Sequence, residues 1–220
     1  MRLPASPNLY HERQLWADGY DVVAGVDEAG RGALAGPLVA AAVTLPTDGR
    51  PRGQLSRALT TQSLHIHDSK LLAPQERERV CDLVQSLGVV TAVAEVDPEV
   101  IDEIGIAAAN QIAMTLAIER LHPAPCAALV DAFYLPEVSI LQRPLIKGDR
   151  RSLSIALASI IAKVHRDRIM ANLDRQFPHF EFSTHKGYGT IRHRELIRER
   201  GPCPCHRFCF RPVADAVHNA

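Results

Sequence analysis

Asp27 and Glu28 close an apolar run, Val22-Val23-Ala24-Gly25-Val26, and open the segment Ala29-Gly30-Arg31-Gly32-Ala33-Leu34-Ala35-Gly36-Pro37. Adjacent carboxylates where a buried strand breaks into a glycine-rich loop are costly. Neither can be buried without a cation, a metal or a cage of hydrogen bonds. Neighbouring side chains on a regular strand point to opposite faces. The two acids are therefore expected to converge on one ion only if the chain leaves strand geometry between them, which Gly30 and Gly32 permit just downstream.

Around this feature the chain reads as alternating strands and helices. Val22–Asp27 and Leu38–Leu45 are continuous apolar runs expected to be strands buried on both faces. A short helix or arm is expected around Asn8 to Trp16, and residues 46–63 read as a surface loop. Pro74 suits the first position of a helix to about Leu87, stopped by Gly88. Val89–Val96 reads as a strand, Asp97-Pro98-Glu99 starts helical material, and Gly105–Leu121 is a second, Ala-rich helix. Ala127–Asp131 is a short strand ending in a carboxylate, with a further strand at Pro144–Lys147. Ser152 caps a long helix to about Phe177, on which Leu153, Ala156, Ile160 and Val164 recur at three- and four-residue steps. A last helix spans about Thr190–Arg200. The pattern implies an α/β domain, a mixed sheet flanked by helices (about 20–150) with a helical C-terminal part (about 151–213), all within a single unit.

Asp131 and Asp149 join Asp27 and Glu28 as acids at strand ends or loop junctions, and strand ends of open α/β sheets gather into one crevice. Four oxygen donors suit Mg²⁺ or Mn²⁺ rather than zinc. Paired hard cations can activate water and stabilise the leaving oxygen of a phosphodiester. Charge is sorted along the chain: residues 1–142 carry 10 Lys and Arg against 18 Asp and Glu, and residues 143–220 carry 15 against 7. An acidic half with candidate ligands joined to a basic half suits a polyanion held against bound cations. Five cysteines, an odd count, do not make a disulfide framework and point to a reducing, cytoplasmic setting. The longest uncharged run, between Arg31 and Asp48, is too short for a membrane span.

These residues carry a family resemblance. Gly25-Val26-Asp27-Glu28-Ala29-Gly30-Arg31-Gly32 with Leu34-Ala35-Gly36-Pro37 resembles the opening motif of ribonuclease HII, the type 2 ribonuclease H. Asp68-Ser69-Lys70, Lys147-Gly148-Asp149 with the helix from Ser152 to Val164, His185-Lys186-Gly187-Tyr188-Gly189-Thr190, and Gly201-Pro202-Cys203-Pro204 with His206-Arg207 are similar to its later motifs, in the family's order. The resemblance implies a ribonuclease H-like fold. It also implies Mn²⁺- or Mg²⁺-dependent cleavage of RNA in RNA–DNA hybrids and at single ribonucleotides in duplex DNA, leaving 3′-hydroxyl and 5′-phosphate ends. By position, Asp27, Glu28 and Asp131 would be metal ligands and Asp149 the fourth active-site carboxylate. Gly30-Arg31-Gly32 would meet the ribose 2′-hydroxyl, which tells RNA from DNA. Tyr188 would stack on the adjacent deoxyribose, and Lys70, Lys163 and Lys186 would contact phosphates. A monomer with no membrane association is the expectation, and recruitment by a sliding clamp is left open.

Three positions depart from the family pattern. Ala132 stands where glycine usually follows the third acid, which leaves the path of Phe133-Tyr134-Leu135-Pro136 open. His165 replaces a usual threonine and is expected to face solvent, and Leu157 replaces an alanine. Gly30, Gly32 and Gly36 do not fit a dinucleotide fingerprint, since the third glycine falls one residue late and a strand follows. His65 and His67 read as a bland pair on a strand edge. Cys203, Cys205, His206 and Cys209 have zinc-like ligand types in a spacing that is not a standard finger, and read as incidental thiols. Two other classes fit the acids less well: a non-catalytic nucleic-acid module, and a nucleotide-hydrolysing enzyme, which lacks a Walker-type loop here.

Overall fold

The computed structural model describes residue 4, residues 6–45, residue 66 and residues 72–218. Lys70, His65 and His67 lie outside the described residues. The apolar runs flanking the glycine loop form β1 (Val23–Ala29) and β2 (Leu38–Thr44), which pair antiparallel from Ala24↔Thr44 to Ala29↔Val39. Among the described residues the remaining strands are β3 (Val90–Val96), β4 (Ala127–Asp131) and β5 (Leu141–Leu145), and the sheet order is β3-β2-β1-β4-β5. β3 is antiparallel to β2, whereas β4 and β5 run parallel to β1. β5 begins three residues earlier than its apolar residues suggest. It is an edge strand, where Pro144 needs no ladder donor and half-exposed positions need not be apolar.

Seven α-helices are described: α1 (Tyr10–Ala17), α2 (Pro74–Ser86), α3 (Pro98–Glu119), α4 (Leu153–Gln176), α5 (Phe182–His185), α6 (Ile191–Arg200) and α7 (Arg211–His218). The break expected at Gly105 falls inside α3, where that residue leaves helical geometry at φ 78°. α3 is apolar and long enough by length and composition to cross a membrane. Here its Ile101, Ala109, Ala113, Met114 and Ala117 lie against the sheet. α5 is a single turn with no clear sequence signal, and α7 is a helix that the sequence reading did not place.

β2 explains the layering. Val39, Ala41 and Val43 face one core with Leu153, Leu157 and Ile160 of α4 and Val80 and Val84 of α2. Leu38, Ala40 and Ala42 face the other core, beneath α3. Small residues let α4 approach the sheet closely: a Cβ on Gly25 of β1 would lie 2.3 Å from the backbone carbonyl carbon of Ser154. Ser152 caps α4 by accepting from the Ile155 amide. Glu12, fully buried, accepts from Ser152 Oγ (2.6 Å), Ser154 N (2.9 Å) and Ser154 Oγ (2.8 Å), placing an acid at the positive end of that helix. A third cluster, Phe180, Phe182, Leu196, Ile197 and Val213 with Leu34 and Met170, fixes the C-terminal helices against the glycine loop.

Candidate functional site

The parallel pairing of β1 and β4 ends at Val26↔Val130, so the next residues, Asp27 and Asp131, stand side by side at the carboxyl ends of adjacent strands. Contrary to the sequence expectation, β1 does not leave strand geometry at this point, because Ala29 still pairs with Val39. Beyond Val26, however, β1 has lost β4 as a neighbour, and this open edge lets Glu28 share the same space. Asp27, Glu28, Asp131 and Asp149 all line one pocket of about 400 Å³, together with Ala29, Gly30, Arg31, Gly32, Ser159, Lys163 and Tyr188. Asp149 sits in a short 3₁₀ turn, Gly148–Arg150, that the Gly148 amide ties to Asp131 Oδ1 at 2.6 Å.

The acids of this pocket are held largely out of water and close enough to oppose one another's charge. Burial holds Asp27 well above the usual carboxylate range, and the charges of Glu28 and Asp131 push it further. Burial, then Asp131, raises Glu28 to about 7. The Ser159 hydroxyl hydrogen-bonds Asp27 and offsets part of this. Among the described residues, buried Glu28 Oε2 has no hydrogen-bond partner. An orphaned carboxylate oxygen beside two further acids is the donor set a hard divalent cation fits.

Gly30 holds φ +89°, and a Cβ there would fall 2.0 Å from Arg166 Nε. A Cβ on Gly32 would meet nothing within 4 Å, so the loop is open on its pocket side at that residue. Arg31 lies over the Phe133 ring at 4.6 Å, joining the glycine loop to the segment after β4. Ala132 starts that segment at φ 58°, in the left-handed region, which accounts for the glycine usual there. Ala132→Gly is expected to raise stability by about 1 kcal/mol through relief of this strain. Denaturant melts would show an unchanged or lowered midpoint if the strain were already relaxed.

Tyr188 is bridged to Ala33, and its ring lies 5.8 Å from Lys163 Nζ and 5.3 Å from the Arg166 guanidinium. Lys163 is held by Asp167, which also pairs with Arg77. Lys186 does not line the pocket. It sits in a left-handed turn, and its carbonyl accepts from Arg166. His165 pairs with Glu95 of β3 at 2.6 Å and also lies outside the pocket. Ser159, Phe133 and Arg166 are the contributors that sequence pattern alone did not assign.

Histidine rings support Tyr188 from behind. The Tyr188 carbonyl can only accept, so His193 Nδ1, 3.0 Å away, carries the proton. In the neutral ring His193 Nε2 then accepts from His206 Nε2 at 3.1 Å, leaving the His206 Nδ1 lone pair free to take the Cys203 amide. Burial, then His185, lowers His193 to about 4. Between about pH 4 and 6.5 the unfolded chain therefore binds the extra proton, and stability rises with pH across that window. Melting temperature is expected to fall on acidification from pH 6.5 towards 4, with a shallower slope in His193→Gln. Equal slopes would remove His193 as the cause.

The strands, flanking helices and acid-lined crevice define a ribonuclease H-type fold. The crystal structure of ribonuclease H2 from Pyrococcus horikoshii OT3 superposes with a TM-score of 0.72 at 25% identity, over 90% of this chain and 98% of that one. The family model described as Ribonuclease HII matches residues 24–213. Ribonuclease HII of Chloroflexus aggregans is 47% identical over 212 residues, 96% of this chain and 97% of its own. That of an Anaeromyxobacter species is 46% identical over 209 residues, and the chain spans 62% of its length. The chain belongs to the ribonuclease HII family and is a ribonuclease H enzyme.

Proposed function

We propose that this enzyme hydrolyses the RNA strand of RNA–DNA hybrids and cuts 5′ of ribonucleotides embedded in duplex DNA, leaving 3′-hydroxyl and 5′-phosphate ends. The observation that carries this reading is the meeting of four carboxylates from three separate stretches of chain in one pocket, beside a glycine loop and Tyr188. Asp27, Glu28 and Asp131 would hold Mn²⁺ or Mg²⁺, with Asp149 as the fourth carboxylate. Bound there, such a cation supplies an activated water and charge stabilisation for the leaving oxygen. The chain's own residues do the rest. Gly30-Arg31-Gly32 offers backbone to a 2′-hydroxyl, and the absence of side-chain bulk at Gly32 permits close approach. Tyr188 presents a ring to the neighbouring sugar, its orientation supported by Ala33 and His193. Lys163, lining the pocket, and Lys70 and Lys186 would contact phosphates without reading sequence. The enzyme would act as a cytoplasmic monomer.

The test is a duplex carrying one ribonucleotide, incubated with Mn²⁺, with Mg²⁺ and with chelator. The expected product is a single nick 5′ of the ribonucleotide, seen with either cation and lost on chelation. No nick with either metal, or cleavage that survives chelator, would overturn the proposal.

A further inference from the structure

At the far end of the hydrogen-bond chain behind Tyr188, the turn after α6 gathers three soft donor atoms. Cys203 Sγ lies 3.1 Å from Cys205 Sγ and 3.1 Å from His206 Nδ1, and all three atoms fall within 4.8 Å of one another. Cys209 stands apart, its thiol directed at the Ile101 carbonyl. We propose that Cys203, Cys205 and His206 form a binding site for one thiophilic metal ion of the Zn²⁺ class, structural in role and separate from the carboxylate pocket.

Three features carry this. The donor set is two sulfurs and one imidazole nitrogen, which selects soft or borderline ions, whereas the all-oxygen pocket selects hard ones. One chain therefore offers two sites of opposite preference. Second, the hydrogen bonds from Tyr188 through His193 place the proton of neutral His206 on Nε2, leaving Nδ1 as the lone pair facing the thiols. A metal-binding histidine characteristically donates its other nitrogen in this way. Third, the separations are near those required. Tetrahedral zinc would set the sulfurs about 3.8 Å apart and sulfur to nitrogen about 3.5 Å. The sulfurs would have to part by about 0.7 Å and sulfur and nitrogen by about 0.4 Å, and Cys205 is only half-buried. Nδ1 would exchange the Cys203 amide for the ion.

The site's place in the fold gives it a consequence. The Cys205 carbonyl accepts from the Gly36 amide at 2.8 Å, and the Arg207 amide donates to the Leu34 carbonyl at 2.8 Å. The Arg207 side chain reaches the carbonyls of Gly36 and Arg31. An ion closing the Cys203–His206 turn would thus brace the glycine loop through residues that do not themselves line the pocket.

The experiment uses the full chain, reduced and stripped of metal, titrated with Co²⁺ and then Zn²⁺. One equivalent of Co²⁺ is expected to produce a thiolate-to-cobalt charge-transfer band. Zn²⁺ should abolish the band, and excess Mg²⁺ should leave it unchanged. Saturating Zn²⁺ should raise the melting temperature by on the order of 5 °C and slow hydrogen exchange at the Gly36 amide. Cys205→Ser should lose the band and weaken binding at least about 100-fold, while Cys209→Ser should behave as the parent. Absence of the band, its persistence in Cys205→Ser, or recovery of Cys203 and Cys205 only as a disulfide under these conditions would each overturn the proposal. These readouts do not depend on nuclease activity, so the outcome is independent of the cleavage assignments.

Discussion

Asp27→Asn is expected to lower hybrid cleavage by three orders of magnitude or more, a loss of about 4 kcal/mol in transition-state stabilisation, while the protein becomes no less stable. The two halves of this result have one cause. Asp27 is buried, and its charge is opposed by Glu28 and Asp131 as well as by lost hydration. In chelator, a neutral amide of the same shape removes that repulsion and keeps an acceptor for the Glu28 amide, which Asp27 Oδ1 accepts at 2.7 Å. Stability at neutral pH should therefore hold or rise by about 1 kcal/mol. The same amide no longer balances a divalent ion, so turnover falls. Single-turnover cleavage of a hybrid and thermal melts in chelator read the two effects separately. Cleavage within tenfold of the parent would remove Asp27 from the metal set. A clear fall in melting temperature would show that the carboxylate is structural.

Much of this arrangement is legible in sequence because local chemistry and global packing agree. Ala127–Asp131 is a strand by composition and is one in the fold. Ser152 followed by apolar residues at helical steps marks α4, whose start carries the capping bond. What sequence does not reveal is long-range. Nothing local says that β1 lies between β2 and β4, which sets Asp27 beside Asp131 across about a hundred residues of chain. Nor does periodicity reveal Glu12, Arg166 and Arg207. Charged residues usually read as solvent-facing, and burial becomes tolerable only once groups distant in the chain supply partners. The strand break that the sequence reading asked for between Asp27 and Glu28 is absent, yet both residues line the pocket, for a related reason. Side-chain alternation is local, whereas the open edge beyond Val130 is created by where another strand stops.

Arg166→Met is expected to destabilise the fold by roughly 3–5 kcal/mol and to disorganise the pocket with it. Methionine keeps much of the apolar stem and removes the donors, so the loss reads the hydrogen bonds. The Arg166 side chain is fully buried on α4, where Nε donates to the Pro37 carbonyl (3.0 Å), Nη2 to Ala35 (2.9 Å) and Nη1 to Lys186 (2.8 Å). Those carbonyls belong to the segment following the glycine loop and to the turn before Tyr188. One guanidinium thus joins the two stretches proposed to grip the substrate. Truncation leaves three buried acceptors without these donors, each costing about 1–3 kcal/mol, against a partial gain from no longer burying a charge. Gly30 belongs to the same unit, since its missing Cβ is the space that Arg166 Nε occupies. Gly30→Ala should therefore be severely destabilising in the parent and much less so beside Arg166→Met, where the flexible thioether can move aside. Urea melts of both single variants and the double variant measure that coupling. Additive losses would mean that Arg166 does not set the glycine loop, and a cost for Arg166→Met below about 1 kcal/mol would mean that its hydrogen bonds are replaced by water.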